Sequence, residues 1–262
     1  MAYNLAELDS SLAGTLFAGR IHFAASTGST NTDALHAARN GAPHGSVYLA
    51  DEQTAGRGRG GHAWQSNAGQ GLYMSALLRP VLPLARLPLL PLAAGLAAMQ
   101  AIQEASGLTA DLRWPNDVLL GPRKAGGILV ESRIESGALA FAVAGVGINV
   151  HQREFPAELA TQATSLDVAA GRVVHRQSVL AALLKSLERE LLLLAGPGAE
   201  TLIPERLRQA STWICGRRVH VHGPQTCTGV TDGLDEHGFL RVRTAEGIVC
   251  VQTGGVRAAE TD

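Results

Sequence analysis

Gly56-Arg57-Gly58-Arg59-Gly60-Gly61-His62 follows a short apolar run, GSVYLADEQ at 45–53, and leads to Trp64. Glycine lowers the steric bar to unusual backbone angles and lets a backbone approach a ligand closely. Arginine supplies a planar fork of donors matched to carboxylate and phosphate. The segment therefore predicts neither helix nor regular strand, but a loop that closes over an anion. By letters alone Gly56, Gly58 and Gly61 satisfy G-x-G-x-x-G, which requires a helix directly afterwards and an acid about 20 residues on. Here HAWQSNAGQG reads as loop, and VLPLARLPLL, where the acid should fall, contains none. A Rossmann fold is excluded, and no Walker A sequence occurs in the chain. On this segment alone a basic loop without a ligand, or one touching nucleic acid, stays open.

Composition narrows the choice. A length of 262 residues holds one large domain, or a large and a small one. With 46% hydrophobic and 17% charged residues, a sizeable core is expected and disorder is not. The net charge of −1 gives no electrostatic case for general nucleic-acid binding. Cys215, Cys227 and Cys250 are odd in number and lack metal spacing, which fits reduced thiols in a cytoplasmic protein. The opening MAYNLAELDS has neither the basic nor the apolar region of a signal peptide. The most apolar stretch, VLPLARLPLLPLAAGLAAM, carries Arg86 and three prolines and makes a poor membrane span.

Around the loop the pattern alternates between element types. STNTDALHAARNG, from Ser29, reads as a short helix capped by Thr30 or Asn31, with Asp33 in its first turn and Gly41 as its stop. GSVYLADEQ and GLYMSALLRP read as strands, and about 87–107 as a buried Ala/Leu helix. Segments 112–120, 126–132 and 138–150 supply further strands. Leu180, Leu183, Leu184, Leu187 and Leu191 recur at helical spacing within a helix over 178–194, closed by Gly196-Pro197. From about Ser211 the texture becomes short alternating runs broken by glycine, the pattern of a small β-barrel or sandwich. The expected domains are 1–210 and 211–262.

Three further segments offer chemistry. In Arg113-Trp114-Pro115-Asn116-Asp117 the Trp-Pro pair fixes an extended entry, and the Asn-Asp pair is either ordinary turn chemistry or a source of oxygens for magnesium. Lys124, beside the Gly126-Gly127 turn, is the only lysine before residue 185; it is either a solvated surface group or a point charge that reaches an anion. Gly145-Val146-Gly147-Ile148-Asn149 ends an apolar strand, either as a kink at a crowded site or as an amide able to read a nucleobase edge.

Taken together, Ser29-Thr30-Asn31, Gln53, the Gly56–Gly61 loop, Trp64, Trp114-Pro115-Asn116-Asp117, Lys124-x-Gly126-Gly127-Ile128-Leu129-x-Glu131 and Gly147-Ile148-Asn149 resemble the biotin protein ligase family in order and spacing. The resemblance covers roughly residues 20–155. It implies an α+β fold: a class II synthetase-like mixed sheet with flanking helices, followed by a small SH3-like β-barrel. It also implies a two-step ligase. Biotin's carboxylate attacks the α-phosphate of ATP, giving biotinyl-5′-AMP and pyrophosphate, and a lysine of a biotin carboxyl carrier protein then takes the biotinyl group and releases AMP.

By the same resemblance Lys124 contacts both the biotin carboxylate and the α-phosphate, and Arg57 and Arg59 close over them. Ser29, Thr30, Asn31 and Gln53 hold the head of biotin. Gly56, Trp64, Gly126 and Gly127 line its path. Asn116, Asp117 and Asn149 serve ATP, with Asp117 as a magnesium ligand. None of the cysteines lies in these motifs, which disfavours a thiol mechanism. The chain departs from the pattern at Gly60 and His62, and no tryptophan stands beside Gly254-Gly255, so adenine contacts from the C-terminal region are unassigned. Only 28 residues precede Ser29, fewer than expected for the helix-turn-helix of family members that double as repressors. The expected partners are biotin, ATP and the carrier protein, without DNA or membrane and with a homodimer allowed. A lipoate protein ligase, or a non-enzymatic biotin or nucleotide sensor, are the alternative readings.

Overall fold

Apolar runs bounded by glycine or proline become strands in the computed structural model, which describes residues 3–259. Seven of them form one sheet: β1 (Ile21–Thr27), β2 (Val47–Gln53), β3 (Gly71–Leu78), β4 (Asp111–Arg113), β5 (Asp117–Leu120), β6 (Arg123–Glu135) and β7 (Ala138–Asn149). Their spatial order is β1-β2-β3-β7-β6-β5-β4. β1 and β2 run parallel, and every other neighbour is antiparallel. All eight residues of β3 are buried, which explains why GLYMSALL shows no polar alternation.

The helices are α1 (Leu5–Ser11), α2 (Thr30–Arg39), α3 (Leu90–Ser106), α4 (Leu166–Ala170), α5 (Arg176–Ala195) and α6 (Ala199–Ala210). Alternate residues of the central strands serve opposite faces of the sheet. Leu77 and Val143 join Ala34 and Ala38 of α2 in a small cluster with Phe141. Ala76, Leu78, Ala142 and Ala144 belong to the main core with α3 and the expected leucine stripe of α5. The helix over about 87–107 begins with a 3₁₀ turn, Leu84–Leu89, before α3. Pro91 falls in the first turn of α3, where its missing N–H costs nothing, and Gly107 ends the helix at φ 80°. The combined stretch Leu84–Ser106 has the length to cross a bilayer and an 18-residue window of mean hydropathy 1.4, but 67% of that window is buried in the fold, as in a core helix.

A second, fully antiparallel sheet follows: β8 (Cys215–His222), β9 (Cys227–Leu234), β10 (Leu240–Thr244), β11 (Gly247–Val251) and β12 (Gly255–Ala258), in the order β11-β10-β9-β8-β12. Its inward residues Val219, Val221, Leu240, Val242, Val251 and Val256 belong to the same hydrophobic cluster as α3 and α5. Polar bonds also cross the junction, among them that from the Trp114 indole N–H to the Gly238 carbonyl at 3.0 Å and that from the Ser211 hydroxyl to the Leu112 carbonyl at 2.7 Å.

Two local expectations are corrected. The N-cap of α2 is Ser29 rather than Thr30 or Asn31, and its side chain makes no capping bond; Gly41 does stop the helix, taking φ 83° just after the C-cap Asn40. The Gly/Arg loop is also more regular than glycine content implies. Arg57 pairs with Ala63 and Gln53 with Ser66 as isolated antiparallel bridges, so the segment is a narrow hairpin.

Candidate active site

The hairpin is closed by backbone bonds from Gly58 N–H to the His62 carbonyl at 2.7 Å and from Trp64 N–H to the Gly56 carbonyl at 2.9 Å. At its tip Gly60 and Gly61 take φ 67° and 80°, a region glycine occupies without steric cost. A side chain at Gly56 would bring its Cβ within 2.3 Å of the Trp64 carbonyl. The glycines thus build a specific tight turn, and the ring of Trp64 comes to lie under Lys124.

Opposite the hairpin stands the N-terminus of α2. Ser29, Thr30 and Asn31 are each 4% exposed, although all are polar. Buried polar groups need partners, and here they find one another. The Thr30 amide and hydroxyl both donate to Gln53 Oε1, at 2.9 and 3.1 Å. Gln53 Nε2 donates to Ser66 at 2.8 Å. The Thr30 and Ser75 hydroxyls meet at 2.8 Å, and Ser75 donates to Asn31 Oδ1 at 2.5 Å. Thr30, Asn31 and Gln53 therefore form one network, extended by Ser75 and not including the Ser29 side chain; sequence reasoning missed Ser75 because a lone serine in an apolar strand carries no signal.

The charged end of the cleft centres on Asp117. Its carboxylate is gripped by Arg113, with Nη2 at 2.7 Å and Nε at 3.1 Å, and by Lys124 Nζ. Burial alone would raise the Asp117 pKa, but Lys124 and then Arg113 outweigh it and hold the carboxyl below its usual range. Lys124 Nζ also lies 5.4 Å from the centroid of the Trp64 ring. The glycines beside this group are space-makers. A Cβ on Gly147 would meet Trp64 Nε1 at 2.6 Å, and one on Gly127 would sit 3.3 Å from Trp64 and 3.6 Å from Lys124 Nζ.

Several placements differ from the sequence reading. Asn116 Nδ2 donates to the Ile128 carbonyl at 2.9 Å, and buried Asn149 donates to the Thr164 carbonyl at 3.1 Å, so both amides also hold backbone. Arg57 does not point to Lys124; it makes a two-pronged pair with Glu131, at 2.6 and 3.2 Å. Arg59 reaches the second sheet, donating to the Gly254 carbonyl at 2.5 Å and to Thr253 at 2.9 Å. Burial lowers the pKa of its guanidinium, with Asp117 opposing. Asp117, expected to offer oxygens to magnesium, instead has both oxygens committed to cations. Among the described residues no group of three or more His, Cys, Asp and Glu side chains could hold a metal. With Arg113 and Lys124 on its two oxygens, Asp117 offers no open position to a cation in this state.

These residues line one cleft of about 1130 Å³ that runs from Ser29 past Trp64 and Lys124 to the second sheet. His222 and Arg257 contribute from that sheet and Thr253 and Gly254 from the β11–β12 connection, and the sequence reading assigned none of them. Their signal was weak because short alternating strands give no clue to which residues face a neighbouring domain. The cleft offers a neutral polar pocket at one end, a channel floored by glycine and indole, and a cluster of cations at the other. It suits a ligand with a polar uncharged head, an apolar tail and an anionic end that meets further anionic groups.

A mixed sheet that carries such a cleft, joined to a small antiparallel sheet, is an architecture shared with solved biotin protein ligases. Residues 23–149 match the model of the biotin/lipoate A/B protein ligase family. The chain is 38% identical over 223 residues to the bifunctional ligase/repressor BirA of Bacillus subtilis, covering 84% of this chain and 68% of that protein. It is 35% identical over 239 residues to the biotin–[acetyl-CoA-carboxylase] ligase of Mycobacterium tuberculosis, covering 88% and 86%. The biotin protein ligase of Aquifex aeolicus, solved with biotin and ATP, superposes with a TM-score of 0.79 at 31% identity, covering 91% of this chain and 98% of that one. The chain belongs to the biotin/lipoate A/B protein ligase family.

Proposed function

We propose that this ligase adenylates biotin with ATP and transfers the biotinyl group to a lysine of a biotin carboxyl carrier protein. The observation that carries the reading is the single cleft in which Lys124 stands between the Thr30–Gln53 pocket and the Arg113–Asp117 pair. The ureido head of biotin is neutral, with donors and acceptors at fixed positions. Ser29, Thr30, Asn31 and Gln53 form the polar end that receives it. Trp64 and Gly127 form the walls along the ring and tail, whereas Gly56 and Gly126, expected beside them, do not line the cleft.

Adenylation joins two anions, so positive charge must be present where they meet. Lys124 supplies it. When substrates enter, its ammonium turns from Asp117 to the biotin carboxylate and the α-phosphate, while Arg113 keeps Asp117 paired so that no buried charge is left alone. A carboxylate oxygen attacks the α-phosphorus and pyrophosphate leaves. In the second step the neutral amine of the acceptor lysine attacks the acyl carbon, AMP departs, and the amine proton passes to solvent. Asn116 and Asn149 frame the nucleotide side. Magnesium arrives as the counter-ion of the ATP substrate rather than as a resident cofactor. Arg59 and the hairpin amides shield the mixed anhydride from water. The same reading makes 1–210 the catalytic unit and 211–262 an accessory β unit, in a cytoplasmic enzyme without need of DNA or membrane.

The test is biotin-dependent exchange between ATP and pyrophosphate, followed by a biotin-sized mass increase on an acceptor domain. Exchange with lipoate alone would overturn the substrate assignment. Adenylate formation without any modified acceptor would favour a sensor.

A further inference from the structure

The carboxylate of Glu131, on β6, takes no part in the steps above, yet it joins the two halves of the cleft. Glu131 Oε2 accepts from Asn31 Nδ2 at 2.9 Å and from Arg57 Nη2 at 2.6 Å, while Oε1 accepts from Arg57 Nη1 at 3.2 Å. Asn31 is held in turn by Ser75, and Ser75 by Thr30, which grips Gln53. An unbroken line of hydrogen bonds thus runs from the head pocket to the hairpin. The site is made to fit this line: a Cβ on Gly145 would lie 2.0 Å from Asn31 Oδ1, so only glycine leaves room for the asparagine there.

Arg57 and Glu131 are only partly buried, with side-chain exposures of 42% and 28%. A simple surface pair would contribute little. This one is two-pronged, and its carboxylate is oriented by a buried amide, which removes much of the entropy an exposed pair must lose. A ligand that orders the head pocket fixes Asn31, Asn31 fixes Glu131, and Glu131 fixes the hairpin through Arg57.

We infer that Glu131 is a positioning residue that couples occupancy of the head pocket to the closed state of the Gly/Arg hairpin, with Arg57 acting as the anchor of that hairpin rather than as a contact to the reacting anions. This rests on the assignment of biotin to the head pocket, but the latch itself is testable without any ligand. Trypsin cleavage after Arg59 in the ligand-free protein, followed by mass spectrometry, reports hairpin opening. E131Q keeps the acceptor for Asn31 and removes the charge.

The expected result is cleavage about three- to tenfold faster than in the unaltered chain, with loss of the protection that biotin gives. In pyrophosphate exchange the KM for biotin should rise more than kcat falls. R57Q should behave likewise, and the double variant R57Q/E131Q should be no worse than the worse single variant, because both remove one interaction. Additive effects in that cycle, or unchanged cleavage in E131Q, would overturn the inference. R57Q alters an exposed hairpin side chain and keeps the cycle informative should E131Q fold poorly. If the unaltered protein shows no biotin-dependent exchange, the substrate assignment fails, whereas the ligand-free cleavage rates still judge the latch.

Discussion

At the residue scale, charge placement decides the roles of the cationic side chains. Lys124 is the one lysine on the floor of the cleft, and its partner Asp117 already has Arg113 as a second cation. Exchange of Lys124 for alanine should therefore leave Asp117 paired and the fold intact while removing charge from the reacting centre. Pyrophosphate exchange is expected to fall by about 10²–10³-fold in kcat. A loss below tenfold would place the reacting anions elsewhere. Arg59 presents a different case, because its guanidinium clasps the second sheet at Gly254 and Thr253. Arg59→Gly removes both the clasp and the shield over the mixed anhydride. The adenylate should leave faster and biotinylate nearby lysines diffusely, and a dissociation rate equal to that of the unaltered chain would refute this.

At the scale of elements, the glycine-rich strand end Gly145–Asn149 shows how much was legible and why. In sequence it read either as a kink or as a base-reading amide. In the fold it is a floor kept bare so that Asn31 can lie over Gly145 and Trp64 over Gly147. Nothing in one strand's sequence shows what a neighbouring helix will lay across it, so the reason for these glycines had to come from the packing. The long leucine stripe of α5 was legible because a single face suffices to define it. Edge strand β1, with burial that does not alternate, left no such trace. Motif spacing found the residues of the cleft but not the directions of Arg57 and Arg59, since long flexible side chains choose partners only after the fold is formed. Gly145→Ala tests the packing argument. Its methyl group must displace Asn31, so a loss of about 1–3 kcal/mol in urea unfolding is expected, with a raised KM for biotin. A substitution that changes neither would mean Asn31 moves aside freely.

At the scale of the whole molecule, the two sheets share one core. Val219, Val221, Leu240 and Val242 lie in the same cluster as Leu92 and Leu184, and a Cβ on Gly238 would strike Leu92 at 2.6 Å. A shared apolar core couples parts that would otherwise unfold alone. Urea unfolding should therefore give one transition by circular dichroism and by the fluorescence of buried Trp114 and Trp213, and two separated transitions would contradict the shared core.

The pH dependence of that transition is led by the two more buried of the carboxylate and histidine groups whose folded pKa values are lowered, His44 and Asp117, with the more exposed His222 adding in the same direction as His44. His44 is lowered, chiefly by burial, and its Nδ1 accepts the Arg79 amide at 3.0 Å, which protonation would forbid. A histidine depressed on folding binds fewer protons folded than unfolded, so its contribution is present above about pH 6.5 and is lost as the pH falls through the folded value. Asp117 is depressed as well, so its contribution persists at pH above about 4 and disappears only in stronger acid. The urea midpoint should accordingly fall between pH 7.5 and 5.5, hold, and fall again below pH 4. His44→Gln provides an amide oxygen that does not titrate, and it should shrink the first step to the part left by His222 without touching the second. A first step of unchanged size in that variant would assign the loss to another group.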